Sequence, residues 1–101
     1  MVKELMNKDE LNDFIKDEVC LVDFFATWCG PCKMLAPVVE KLSESGVKCG
    51  KMDIDDNAEV AMKYGIEVIP YVVVFKKGQP VDKSIGLVSL EELQTLVEKN
   101  K

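Results

Sequence analysis

Two cysteines separated by two residues, Cys29 and Cys32, stand in the segment Trp28-Cys29-Gly30-Pro31-Cys32. Thiols at this spacing close into a disulfide or share a metal ion. Zinc needs about four ligands. The chain has no histidine, and its other cysteines, Cys20 and Cys49, lie singly in apolar runs. An iron–sulfur cluster fails on the same ligand count. The pair is therefore read as redox-active, with no metal and no cofactor beyond the Cys29–Cys32 disulfide itself. Cys20 and Cys49 are read as buried free thiols.

The pair is expected where a helix starts. Unpaired N–H groups and the positive end of the helix dipole stabilise a thiolate there and lower the thiol pKa. The thiolate is the species that attacks a disulfide. Cys29, at the helix boundary beside Trp28, is expected to be accessible and to be the nucleophile. Cys32, about one turn in, is expected to be more shielded and to resolve the mixed disulfide. Pro31 suits the first helical turn, where its missing N–H is not needed. Asp23 is the second informative residue, a carboxylate within Val-Cys-Leu-Val-Asp-Phe-Phe-Ala, residues 19–26. One reading is a strand end or edge position. The other is a buried acid beneath the disulfide, its pKa raised by desolvation, exchanging a proton with Cys32. Lys51 is either its partner from a neighbouring strand or a plain surface lysine.

The elements that must position these groups alternate strand and helix. Val2 to Met6 is a weak strand. Asn7 with Glu10 resembles a capping box, and Leu11, Phe14 and Ile15 share one helical face. Residues 19–26 suit a central strand covered on both faces. Leu35, Val38, Val39 and Leu42 mark a helix that contains Pro37 and ends near Gly46. Val47 to Ile54 is a third strand, and Asn57 caps a short helix closed by Gly65. Tyr71-Val72-Val73-Val74-Phe75 is the strongest strand signal. Lys77-Gly78 is a turn, Pro80 to Ile85 an edge strand, and Ser89-Leu90-Glu91-Glu92 a capping box before the last helix. The order βαβαβαββα over residues 1–101, with no linker or repeat, gives one α/β domain with a mixed sheet flanked by helices.

The chain of 101 residues has 48% hydrophobic and 31% charged residues and a net charge of −5. One core of this size needs no disulfide or metal staple. The negative balance and the absence of a basic run argue against nucleic-acid and anionic-membrane surfaces. No run is long enough to span a bilayer. The first residues lack the apolar stretch of a signal peptide, so the chain is expected to be cytoplasmic. It is also expected to be monomeric.

Val22-Asp23-Phe24-Phe25-Ala26-Thr27-Trp28-Cys29-Gly30-Pro31-Cys32-Lys33 resembles the active-site signature of the thioredoxin family. Pro37, Lys51-Met52-Asp53-Ile54-Asp55, Tyr64-Gly65-Ile66, Ile69-Pro70 and Gly86 also fall where that family places them, so the resemblance covers essentially the whole chain. It implies a thioredoxin fold, a central five-stranded mixed β-sheet with four α-helices. It implies a cis bond before Pro70, with Ile69-Pro70 against the disulfide and the Ile69 backbone pairing with substrate. It implies a flat apolar docking patch made by Trp28, Gly30, Pro31, Val68, Ile69, Pro70, Gly86 and Leu87. The activity implied is reduction of disulfides in client proteins, with recharging by a partner, thioredoxin reductase. Its electron source, NADPH flavoprotein or ferredoxin-linked enzyme, is open. A dedicated donor for one client enzyme, or a scaffold whose dithiol is incidental, are the alternatives. Phe25 stands where the family often has Trp, and Tyr71 where Thr is usual. If Lys51 approaches Asp23, strand alternation puts Cys20 and Cys49 on opposite faces of the sheet, where they do not bridge; a bulge would reverse that parity.

Overall fold

A computed structural model describes residues 1–101. Its elements run β1 (Lys3–Glu4), α1 (Lys8–Ile15), β2 (Cys20–Phe25), α2 (Gly30–Glu44), β3 (Cys49–Asp53), α3 (Ala58–Lys63), β4 (Tyr71–Lys76), β5 (Gln79–Ile85) and α4 (Leu90–Glu98). The sheet order is β1-β3-β2-β4-β5. β1, β3 and β2 run parallel, and β4 and β5 are antiparallel to their neighbours. The expected five-stranded mixed sheet with four helices is thus the fold observed.

β2 lies at the centre, and its alternation explains the nearly unbroken apolar run. Cys20, Val22 and Phe24 face one core with Leu11, Phe14 and Ile15 of α1 and Val60 and Ala61 of α3. Leu21 faces the other, with Leu35, Val39 and Leu42 of α2 and Leu93, Leu96 and Val97 of α4. A strand covered on both sides has no polar face, so a lone acid within it stands out. Gly50 in β3 is required by close packing: a Cβ there would come 2.9 Å from Leu5 Cδ1 and 3.0 Å from Phe14 Cε2.

Of the three capping residues expected from the sequence, Asn7, Asn57 and Ser89, two make the capping bond. Asn7 Oδ1 accepts from Glu10 N–H at 2.9 Å, and Ser89 Oγ accepts from Glu92 N–H at 3.1 Å. Glu10 Oε1 accepts from the Met6 N–H at 3.0 Å, and Leu5 N–H makes the last bond toward β3, to Lys51 O at 2.8 Å. Asn57 holds the N-cap position of α3 but makes no capping bond. Its Nδ2 donates instead to Asp53 O at 3.0 Å, which ties the helix start to the end of β3.

The β4–β5 turn is Lys77-Gly78, with φ of 52° and 82°. Positive φ at both central residues is the type I′ turn, whose twist matches that of the strands. The ladder pairs Val74 with Asp82 but Phe75 with Pro80, so Val81 is an extra residue on β5. Pro80 has no N–H to donate, and the bulge sits beside it on the edge strand. No helix is long and apolar enough to cross a membrane.

Candidate active site

The end of β2 delivers the cysteine pair. Cys29 N–H donates to Ala26 O at 3.2 Å, and Cys29 O accepts the first helical bond of α2 from Lys33 N–H at 3.2 Å. Cys29 is therefore the N-cap of α2, with extended backbone, and Pro31 falls in the first turn. Its Sγ accepts from the Cys32 N–H at 3.2 Å, the place a serine or aspartate oxygen takes in an ordinary cap. Cys29 and Cys32 form a disulfide with their Cα atoms 5.2 Å apart. Around it pack Ala26, Phe25, Ile54 and Ile69.

The expected difference in accessibility is not present. Cys29 and Cys32 are each 4% exposed and share this small apolar cluster. What distinguishes the two sulfurs is hydrogen bonding: the backbone N–H at the helix start points at Cys29.

Asp23 is buried, 3% exposed, and its Oδ1 has no hydrogen-bond partner. It lies in mid-strand, between Lys51 of β3 and Val72 of β4, which removes the strand-end and edge readings. Burial pushes its carboxyl up to about 7, against the opposing pull of the Lys51 charge. Lys51 is half-buried, beside Asp23 in the register, but no ion pair joins them; its Nζ lies 6.0 Å from the Phe25 ring centre. A cavity of about 310 Å³ is lined by both Asp23 and Cys32, with Lys51 and Lys33 also on its wall. The acid and the inner cysteine thus open onto one space.

The Ile69–Pro70 bond is cis, and Ile69 packs against the disulfide cluster. The Gly86 N–H donates to Pro70 O at 2.9 Å, holding the two loops together. Of the apolar patch, Trp28 is 69%, Val68 52% and Leu87 47% exposed, and Gly30 and Pro31 are exposed as well. Ile69 and Gly86 are half-buried. Pro70 is buried, which corrects its expected place on the exposed patch. Tyr71 is buried in the α1/α3 core, opposite Phe24, and Ile69 of the patch packs against the same core.

Asp55 was not among the expected site residues, yet its Oδ2 accepts from the Trp28 indole Nε1–H at 2.8 Å. Its signal is topological. β2 and β3 are adjacent and parallel, so the residues just past their C-terminal ends meet, and the Ile54 N–H donates to Phe25 O at 2.9 Å beside them.

A disulfide capping a helix at the end of the central strand of such a sheet defines a thiol–disulfide oxidoreductase, whose redox group is Cys29–Cys32. The thioredoxin family model matches residues 2–99, and the chain belongs to that family. A thioredoxin of Staphylococcus saprophyticus is 46% identical over 92 residues, covering 88% of each chain. One of Chlamydia caviae is 43% identical over 102 residues and covers 99% of each. Among solved structures, a mutant thioredoxin of Halobacterium salinarum superposes with a TM-score of 0.92 at 38% identity, covering 96% of this chain and 88% of that one. The oxidised thioredoxin of Plasmodium falciparum gives 0.87 at 37% identity, covering 99% and 98%.

Proposed function

We propose that the protein is a general cytoplasmic reductant of disulfides in client proteins, with Cys29 as nucleophile, Cys32 as resolving thiol and Asp23 as proton acceptor. The observation that carries the roles is the Cys32 N–H aimed at Cys29 Sγ. A thiolate at Cys29 gains a hydrogen bond and the helix-start field; one at Cys32 gains no such contact. The Cys29 thiolate attacks one sulfur of the client disulfide, forms a mixed disulfide and expels the other sulfur as a thiolate, which takes up a proton. Cys32 then loses its proton to the Asp23 carboxylate across their shared cavity. The new Cys32 thiolate attacks Cys29 Sγ, closes the disulfide and releases the second client sulfur. Two electrons pass to the client, and a partner thioredoxin reductase returns the pair to the dithiol.

The exposed apolar surface of Trp28, Gly30, Pro31, Val68 and Leu87 is the client platform, with the Ile69 backbone beside the disulfide to pair with an extended segment. Asp55 fixes the Trp28 ring through its indole N–H. Lys51 acts on Asp23 through space and keeps part of its population ionised near neutral pH. Neither metal nor bound cofactor enters this cycle. The test is reduction of insulin disulfides driven by a chemical dithiol, then by NADPH with thioredoxin reductase. Turnover in the first assay alone would limit the claim about the partner; failure in both would remove the reductase reading.

A further inference from the structure

The α1/α3 face of the sheet is not fully covered. α3 is short, ending at Lys63, and beyond it a groove of about 450 Å³ opens over β4 and β5. Its lining includes the aromatic and apolar side chains of Tyr64, Tyr71 and Val73 and, from the bulged edge strand, Val81. Neither tyrosine hydroxyl has a protein hydrogen-bond partner. Tyr64 is half-buried, and Tyr71 is 6% exposed.

The charge at this groove runs against that of the chain. Lys63 and Lys83 line it, and neither pairs with a carboxylate. The acid nearest in helical register to Lys63, Glu59, is held by Lys8 at 3.2 Å. Asp82 also lines the groove, but its Oδ2 accepts from Asn100 Nδ2 at 3.0 Å and lies 3.3 Å from Lys99 Nζ. Its charge is compensated from the α4 side. A protein of net charge −5 thus presents two ammonium groups without a carboxylate partner around this groove, that of Lys63 lying 5.3 Å from the Tyr64 ring centre. Small-molecule sites share this design, about 300–1,000 Å³ of mostly apolar lining with a few polar groups to fix orientation.

We propose that this groove binds a small aromatic carboxylate, with the ring over Tyr64, Tyr71 and Val73 and the carboxylate between Lys63 and Lys83. The lysines supply sign selectivity and the tyrosine hydroxyls supply donors, while an amine at the same place would meet two like charges. The groove's lining shares no residue with the disulfide cluster or with the client platform.

The test is an amide-resolved NMR titration of the oxidised protein with 4-phenylbutyrate, 4-phenylbutan-1-ol and 4-phenylbutylamine. The expected result is shifts centred on Lys63, Tyr64, Tyr71 and Lys83, with the carboxylate bound about fivefold to tenfold more tightly than the alcohol and the amine weakest. The double variant K63E/K83E should invert that order. The milder Lys83→Gln, at an exposed position, should weaken phenylbutyrate about twofold to fivefold with an otherwise unchanged spectrum. Equal affinity for the three probes, shifts centred on Trp28 and Leu87, or no saturable binding would overturn the proposal.

Discussion

The Asp23 carboxyl stands at about 7 because burial penalises its charged form more than Lys51 favours it. An unfolded chain releases that proton near the ordinary 3.8. Between these values the folded protein holds a proton that the unfolded chain has lost, so stability falls as pH rises from about 4 to about 7. The rise from 3.8 to about 7 corresponds to roughly 4 kcal/mol as an upper bound. Asp23→Asn removes the slope: it should stabilise the protein by about 2–4 kcal/mol at pH 8 and change little at pH 4, read from urea midpoints. The same variant should slow client reduction and flatten the rate between pH 6 and 8; an unchanged profile would end the proton-transfer role. For the thiols, Cys29→Ser should abolish turnover, whereas Cys32→Ser should accumulate a mixed disulfide visible on a non-reducing gel. Equal partial losses would mean the roles are misassigned. Asp23 was legible in the sequence because a charge inside a two-faced strand has few explanations. Asp55 was not, because its meeting with Trp28 depends on which strands are neighbours.

Element by element, the sequence signals that worked were those whose physics is local. β4 is a β-branched run, Ser89 and Asn7 offer side-chain oxygens to the N–H three residues on, and Pro80 marks an edge. Asn57 has the same chemistry as Asn7, yet it turns to Asp53 O, an acceptor supplied by the end of β3. The Val81 bulge likewise depends on the partner strand. The cis Ile69–Pro70 bond came from family resemblance, since an Ile-Pro pair only permits it. The hairpin turn offers a test at this scale. Lys77 holds a φ of 52°, a conformation that Asn tolerates better than Lys because its short polar side chain bonds locally. Lys77→Asn should raise stability by about 0.5–1 kcal/mol, and Lys77→Val should lower it by about 1–2 kcal/mol, both seen as shifts in the urea midpoint with unchanged slope. A stabilising Val would show that the loop does not keep this turn.

The sheet divides the molecule into two cores, and that division governs the cysteines outside the redox pair. Cys20 packs with α1 and α3, and Cys49 with α2 and α4. No bulge interrupts β2 or β3, since Leu21 to Phe25 pair one for one with Cys49 to Asp53. The parity read from the sequence therefore holds, and both thiols are free and buried. Their side chains leave opposite faces of one sheet, so a bridge would require β2 or β3 to rotate and expose its apolar row. Burial also pushes the thiols up, Cys20 to about 11 and Cys49 to about 12. Near pH 8 each is almost wholly protonated and shielded from reagent, and the thiolate is the reactive form. Air oxidation should accordingly consume Cys29 and Cys32 alone. The oxidised native protein should give essentially no rapid reaction with a disulfide reagent at pH 8, and two thiols per chain should titrate once it is unfolded. Fast native labelling of Cys20 or Cys49 would mean that one core opens on the timescale of the assay. Fewer than two thiols after unfolding would mean that the sheet does not keep the pair apart.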